Sequence, residues 1–211
     1  MHAPAAWVFD LDGTLVDTLP DLLGALNEAL AGQGAAGASF ESARAALSTG
    51  IEAMVTRSAA AAGCRDLGAL TDAFERRYAA RLADGAAPYP GVDAFLGTLA
   101  ASGARIAVCT NRSERMAHRL LEAAGLAHRF PVVVGADTCA WRKPHPAPLL
   151  HAIDVLRASP REAVLVGDSE VDAECAHRAQ VAFWLHANGY GRAGLASAAS
   201  RSFMHWDELG R

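Results

Sequence analysis

Lysine is almost missing from this chain. It has nineteen basic residues, and reading along the sequence shows that all but Lys143 are arginine. Cysteine is sparse and unpaired in pattern: Cys64, Cys109, Cys139 and Cys175 form no C-x-x-C motif. They are expected to be reduced thiols in a reducing compartment, not a disulfide framework. No apolar run is long enough to span a bilayer. The first apolar segment starts too near the N-terminus to leave space for a signal peptide. The expected location is therefore the cytoplasm. There is no basic run and the formal charge is −4, so nothing electrostatic points to nucleic acid. No internal repeat is visible. What remains is 211 residues with 52% hydrophobic content. That is enough for one sizeable domain, or for a domain carrying an insertion.

The chain is organised around Val8-Phe9-Asp10-Leu11-Asp12-Gly13-Thr14-Leu15-Val16-Asp17. A short apolar strand, Ala6 to Phe9, stops at two carboxylates one residue apart. Alternation along an extended chain puts Asp10 and Asp12 on the same side. Gly13 permits a tight turn with positive φ. Two such charges cannot comfortably both ionise unless a cation joins them. The stretch reads either as an Asp-rich turn after a buried strand or as a carboxylate pair working with a hard metal ion.

Downstream the pattern is first helical, then alternating. Asp17-Thr18-Leu19-Pro20 reads as a helix start with a capping side chain and an early proline. Leu22, Leu26 and Leu30 follow at helical spacing. Further helices are expected over Glu41 to Leu47, Ile51 to Ala62 and Leu67 to Leu82. Asp84 to Gly91 closes this block as a linker. Beyond it, strands are expected at Arg105 to Cys109, Pro131 to Val134, Ala163 to Val166 and Val181 to Leu185. Helices are expected at Val92 to Ala101, Ser113 to Ala124, Pro146 to Ala158 and Glu170 to Ala179. The expectation is an α/β fold, a Rossmann-like parallel sheet covered by helices, over residues 1–16 and 85–211. An all-helical domain over 17–84 is inserted into it. The ligand site of such a sheet belongs at the carboxyl ends of its strands. Asp10, Thr110 and Asp168 each lie just past an apolar run.

Thr110 reads either as a loop threonine starting the next helix or as a hydroxyl that holds a phosphate oxygen beside backbone N–H groups. Lys143, in Lys143-Pro144-His145-Pro146, reads either as a lone lysine that survived by chance on an exposed loop or as a compact point charge in a place where a planar guanidinium would not substitute. Ser169-x-x-Asp172 can be a helix capping box, with aspartate in place of glutamate. That leaves Asp168 unexplained, and a third carboxylate there would complete an oxygen-rich site for Mg²⁺.

Taken together, D-L-D-G-T-L-V-D-T, C-T-N, R-K-P-H-P and G-D-S-E-V-D resemble the haloacid dehalogenase-like hydrolase superfamily in order and spacing. The helical block falls where members with a helical cap insert that cap. D-G-T-L-V-D-T, T-N-R, R-K-P-H-P-A-P-L-L and Asn188-Gly189-Tyr190-Gly191 are most similar to the phosphoglycolate phosphatase group. The resemblance implies a Mg²⁺-dependent phosphatase acting on a small phosphorylated metabolite, as a monomer or homodimer. It implies Asp10 as nucleophile and Asp12 as acid and base. Mg²⁺ would be held by Asp10, the Asp12 backbone carbonyl and Asp168, with Asp172 acting from behind. Gly13, Thr110, Asn111 and Lys143 would hold the phosphoryl group. The two linkers, around Leu15 to Thr18 and Asp84 to Gly91, would be hinges. A sugar-phosphate phosphatase, for instance for N-acetylmuramic acid phosphate, would keep every catalytic residue and differ in the cap. A phosphomutase and a catalytically silent binding protein are the remaining alternatives.

Overall fold

A computed structural model describes residues 4–47, 49–192 and 194–210. The chain divides into two units, Met1–Asp17 with Ala87–Arg211, and Thr18–Ala86.

The first unit is built on a six-stranded parallel sheet. Its strands are β1 (Ala6–Phe9), β2 (Arg105–Cys109), β3 (Val133–Val134), β4 (Ala163–Gly167), β5 (Ala182–His186) and β6 (Arg201–Phe203). Their spatial order is β3-β2-β1-β4-β5-β6. The chain runs outward from β1 in one direction, returns, and runs outward in the other. The order therefore reverses between β1 and β4, where the ends of two crossovers part and leave a crevice. The register pairs Phe9 with Val108 on one side and with Val166 on the other. The residues that follow these strands, Asp10, Thr110 and Asp168, thus leave the sheet side by side.

Side-chain alternation sorts β1 between two cores. Ala6 and Val8 belong to an aliphatic layer with Leu149 and Ile153 of α7 (Ala147–Val155) and with Cys175 and Ala176 of α8 (Glu170–Ala179). Trp7 and Phe9 point the other way. Trp7 meets Phe95 of α5 (Val92–Ala101) and Trp184, and Phe9 meets Phe130 and Trp206. Aromatics are only 7% of the chain, but this face concentrates them, and Trp206 is almost wholly enclosed. The remaining helix of the unit is α6 (Glu114–Ala123). All four cysteines are free thiols.

The second unit holds α1 (Leu19–Ala31), α2 (Phe40–Leu47), α3 (Ile51–Ala61) and α4 (Leu67–Ala83). Helices α1 and α4 pack on each other, burying Leu22, Leu26 and Leu30 of one and Leu70, Phe74, Tyr78 and Leu82 of the other. Arg81 reaches Glu28 at 2.6 Å. That pair is largely solvated and is worth at most about 1 kcal/mol.

Three local expectations need correction. Thr18 is the N-cap of α1, but its backbone is helical and its side chain makes no capping hydrogen bond. The side-chain cap falls instead on α4, where Asp66 accepts from Ala69 N at 2.9 Å. The strand expected from Pro131 shrinks to two residues, because it is an edge paired only with Val108 and Cys109. A sixth strand, β6, was not expected. Among the described residues, no helix is long and apolar enough to cross a membrane.

Candidate active site

Asp10 leaves the end of β1 with its N–H bonded to Val166 O at 2.8 Å, and Thr110 leaves β2 with its N–H on Val134 O at 2.9 Å. The sheet's own ladder thus fixes both backbones at the crevice. Lys143 enters from the loop before α7. Its Nζ donates to Asp10 Oδ1 at 2.8 Å and to Asp172 Oδ1 at 2.6 Å. The side chain is 3% exposed, so this is a buried charge tied to two carboxylates.

Asp168 follows β4. Its Oδ1 accepts from Thr14 Oγ1 at 2.9 Å and its Oδ2 from the N–H of Tyr190 at 2.7 Å. Asp172 is fully buried on the first turn of α8. Its Oδ2 accepts from Ser169 N and Ser169 Oγ, while its other oxygen takes Lys143. One side chain therefore both closes the capping box of α8 and pairs with Lys143. Asp10, Asp168 and Asp172 offer carboxylate oxygens that all lie within 4.8 Å of one another.

The electrostatics of this cluster are unbalanced. Burial, then the neighbouring Asp172, push Asp10 up to about 7, against the pull of Lys143. Burial, then Asp10 and Asp172, hold Asp168 well above the usual carboxylate range. Burial alone would lower Lys143, but Asp10 and Asp172 outweigh it and raise it well above its ordinary value. Counting Asp12 and Arg112, which pair with each other, four carboxylates face two cations. The deficit of two charges, on hard oxygen donors, fits a divalent cation such as Mg²⁺.

The profile of the haloacid dehalogenase-like hydrolase family matches residues 7–185. The chain belongs to that family. Among curated relatives it is 42% identical over 205 residues to a phosphoglycolate phosphatase of Rhodospirillum rubrum, covering 92% of this chain and 84% of that one. It is 40% identical over 190 residues to a phosphoglycolate phosphatase of Caulobacter vibrioides, covering 88% and 80%. Among solved structures, a predicted phosphoglycolate phosphatase of Haemophilus somnus superposes with a TM-score of 0.92 at 28% identity, covering 99% and 97%. CbbY of Rhodobacter sphaeroides in complex with xylulose-1,5-bisphosphate superposes with a TM-score of 0.84 at 26% identity, covering 98% and 96%. This haloacid dehalogenase-like hydrolase is a phosphatase.

The hydrolase's remaining expected residues each have a definite place. Gly13 has φ +82°, and a Cβ there would strike Asp168 and the Tyr190 ring. Only glycine fits between the first loop and the third carboxylate. Thr110 is 3% exposed, and its Oγ1 accepts from Arg112 N at 3.1 Å, which leaves the hydroxyl proton available to donate. Asn111 lies on the loop that follows β2. Its Nδ2 donates to Lys143 O at 2.9 Å, so the side chain supports the lysine loop.

Two contributors were missed by sequence reasoning. His186 ends β5, and its Nδ1 lies 2.9 Å from Gly13 O, holding the first loop from below. Burial lowers its pKa, which favours a neutral ring donating Nδ1–H to that carbonyl. Arg112 is 4% exposed and forks onto Asp12. Its position directly after Thr110-Asn111 was the available signal.

Proposed function

We propose that this hydrolase cleaves small phosphate monoesters through an aspartyl-phosphate, with phosphoglycolate as the first candidate substrate and Mg²⁺ as the cofactor. The carrying observation is the buried Lys143 shared between Asp10 and Asp172 beside Asp168, at the point where strand order reverses. The choice of phosphoglycolate is supported by the names of the curated relatives. Asp10 and Asp168 would hold the metal, together with the Asp12 backbone carbonyl. When bound, Mg²⁺ offsets the repulsion between carboxylates and a phosphate dianion.

Asp10 supplies the attacking oxygen: a bond forms from its carboxylate to phosphorus as the ester oxygen leaves. Lys143 fixes Asp10 and puts a point charge where negative charge spreads over the transferring phosphoryl oxygens. The Thr110 hydroxyl donates to one of those oxygens. Asp12 gives a proton to the departing alcohol, then takes one from the water that attacks phosphorus and releases Asp10. Asp172 orients Lys143 from behind. We assign substrate selection to the helical unit as the cap, with flexing at Leu15 to Thr18 and Asp84 to Gly91. The four free thiols agree with a cytoplasmic setting.

The test is a panel of phosphate esters containing phosphoglycolate, N-acetylmuramic acid phosphate and xylulose-1,5-bisphosphate, assayed with Mg²⁺ and again with a chelator. The reading predicts Mg²⁺-dependent release of phosphate, with the highest kcat/KM on phosphoglycolate. A clear preference for another ester would replace the substrate and keep the chemistry. No turnover of any ester by folded protein would remove both.

A further inference from the structure

The bidentate contact between Arg112 and Asp12 has no role in the chemistry described so far. The guanidinium gives Nε to Asp12 Oδ2 at 3.1 Å and a terminal nitrogen to Oδ1 at 2.5 Å, so both carboxylate oxygens are met by one planar fork. The arginine side chain is 2% exposed and that of Asp12 is 14% exposed. The cation is therefore enclosed, while its partner opens outward. Arg112's own backbone is fixed at both ends, with its N–H on Thr110 Oγ1 at 3.1 Å and its carbonyl accepting from Ala136 N at 2.9 Å. Three consecutive residues thus each grip a different part of the site. Thr110 would donate to the phosphoryl group in the function proposed above, Asn111 holds the Lys143 loop, and Arg112 holds Asp12.

Stability does not account for such a pair. Buried ion pairs replaced by apolar groups of similar volume are often neutral or more stable. Orientation does account for it. The terminal torsion of aspartate is broad and poorly staggered, yet a general acid must bring one oxygen within about 2.6–3.2 Å of the atom it protonates. Each carboxylate oxygen keeps a second lone-pair site when one is occupied by the fork.

We propose that Arg112 is the positioning residue of the acid–base carboxylate. It holds the plane of Asp12 so that one oxygen faces the ester oxygen of the substrate, and it neither contacts the phosphoryl group nor exchanges a proton. The proton passes from Asp12 to the leaving oxygen and returns to Asp12 from the hydrolytic water, and Arg112 stays a cation throughout. The inference rests on Asp12 being the acid and base.

The experiment is kcat/KM across phosphate esters whose leaving groups range from nitrophenolates, which depart without a proton, to simple alkoxides, which need one. It compares wild type, Arg112→Gln, Arg112→Lys and Asp12→Asn, each checked by its melting curve. Misplacing a catalytic group by about 1 Å can cost roughly a hundredfold. Arg112→Gln should therefore lose about that much on alkyl phosphates and little on nitrophenyl phosphates. Arg112→Lys should behave like the glutamine variant, because it keeps the charge and loses the fork. It also decides the question if the glutamine variant does not fold. A loss of equal size across the series, or full rescue by lysine, overturns the proposal in favour of a binding or bulk-charge role. Asp12→Asn must show the same leaving-group dependence. If it does not, the assignment of Asp12 itself is wrong and the inference about Arg112 falls with it. If Asp12→Asn does and the Arg112 variants do not, only the inference about Arg112 fails.

Discussion

Consider Lys143→Met, a side chain of similar length with the charge removed. Lys143 Nζ bonds two carboxylates, at 2.8 and 2.6 Å, and the side chain is 3% exposed. Breaking a buried pair by removing one partner costs about 3–5 kcal/mol, because the other charge is left uncompensated. The lower end applies here, since Asp172 keeps Ser169 and Asp10 can take up a proton. At roughly 2–4 °C per kcal/mol for a protein of this size, the loss is about 6–12 °C in melting midpoint. The deficit also has a pH signature. Asp10 already sits at about 7 with the lysine present, and rises further without it. A carboxyl raised above its unfolded value of 3.8 contributes stability that is full below that value and lost as pH rises through the folded value. The variant should therefore lie further below wild type at about pH 8 than at about pH 5. Turnover loses one preorganised donor, about 3 kcal/mol, or a hundredfold or more. The assay is a metal-free melting curve at both pH values beside steady-state kinetics with Mg²⁺. An unchanged melting curve together with near-normal turnover would place Lys143 outside the site.

Asp168→Ala should weaken Mg²⁺ binding, read by titration calorimetry, because it removes an oxygen donor. Equal affinity in wild type and variant would count against that role. Asp172→Ala should instead destabilise, by about 1 kcal/mol for the lost cap on α8 and further because Lys143 keeps only Asp10 of its two carboxylate partners. Asp172→Asn should lose less in a melting scan, since an acceptor for Ser169 remains. His186 is held below its ordinary 6.5 by burial, so the unfolded chain binds its proton first as pH falls. Stability from this group is full above 6.5 and declines below it. His186→Phe should narrow the difference in melting midpoint between about pH 7.5 and about pH 5. An unaltered pH profile would remove His186 from the acid response.

The legible part of the sequence was the part with strong periodicity or unusual residue choice. Strands β1, β2 and β4 were readable because each is an apolar run between turns, broken only by Arg105 at the start of β2, as expected of sheet strands covered on both faces. Lys143 stood out because arginine fills every other basic position. Strand β6 was not readable. Arg201-Ser202-Phe203 has one buried side chain and is a strand only because β5 lies beside it. Arg112 was hidden by the same bias that exposed Lys143: one arginine among many carries no compositional signal, and only folding brings it to Asp12, one hundred residues earlier in the chain. Asn111 shows a related limit. Its place in a recognisable motif suggested a phosphate contact, but nothing in the sequence signalled its hydrogen bond to the lysine loop.

The proposed function stands on Asp10 as the nucleophile of a metal-dependent phosphatase. Its most direct test is phosphate release from phosphoglycolate by wild type and Asp10→Asn side by side, with Mg²⁺ and with chelator, on protein whose melting curves are in hand. Wild type should show saturable turnover that chelation abolishes, and folded Asp10→Asn protein none above background. Turnover by Asp10→Asn close to that of wild type, or wild-type turnover indifferent to the chelator, would contradict it.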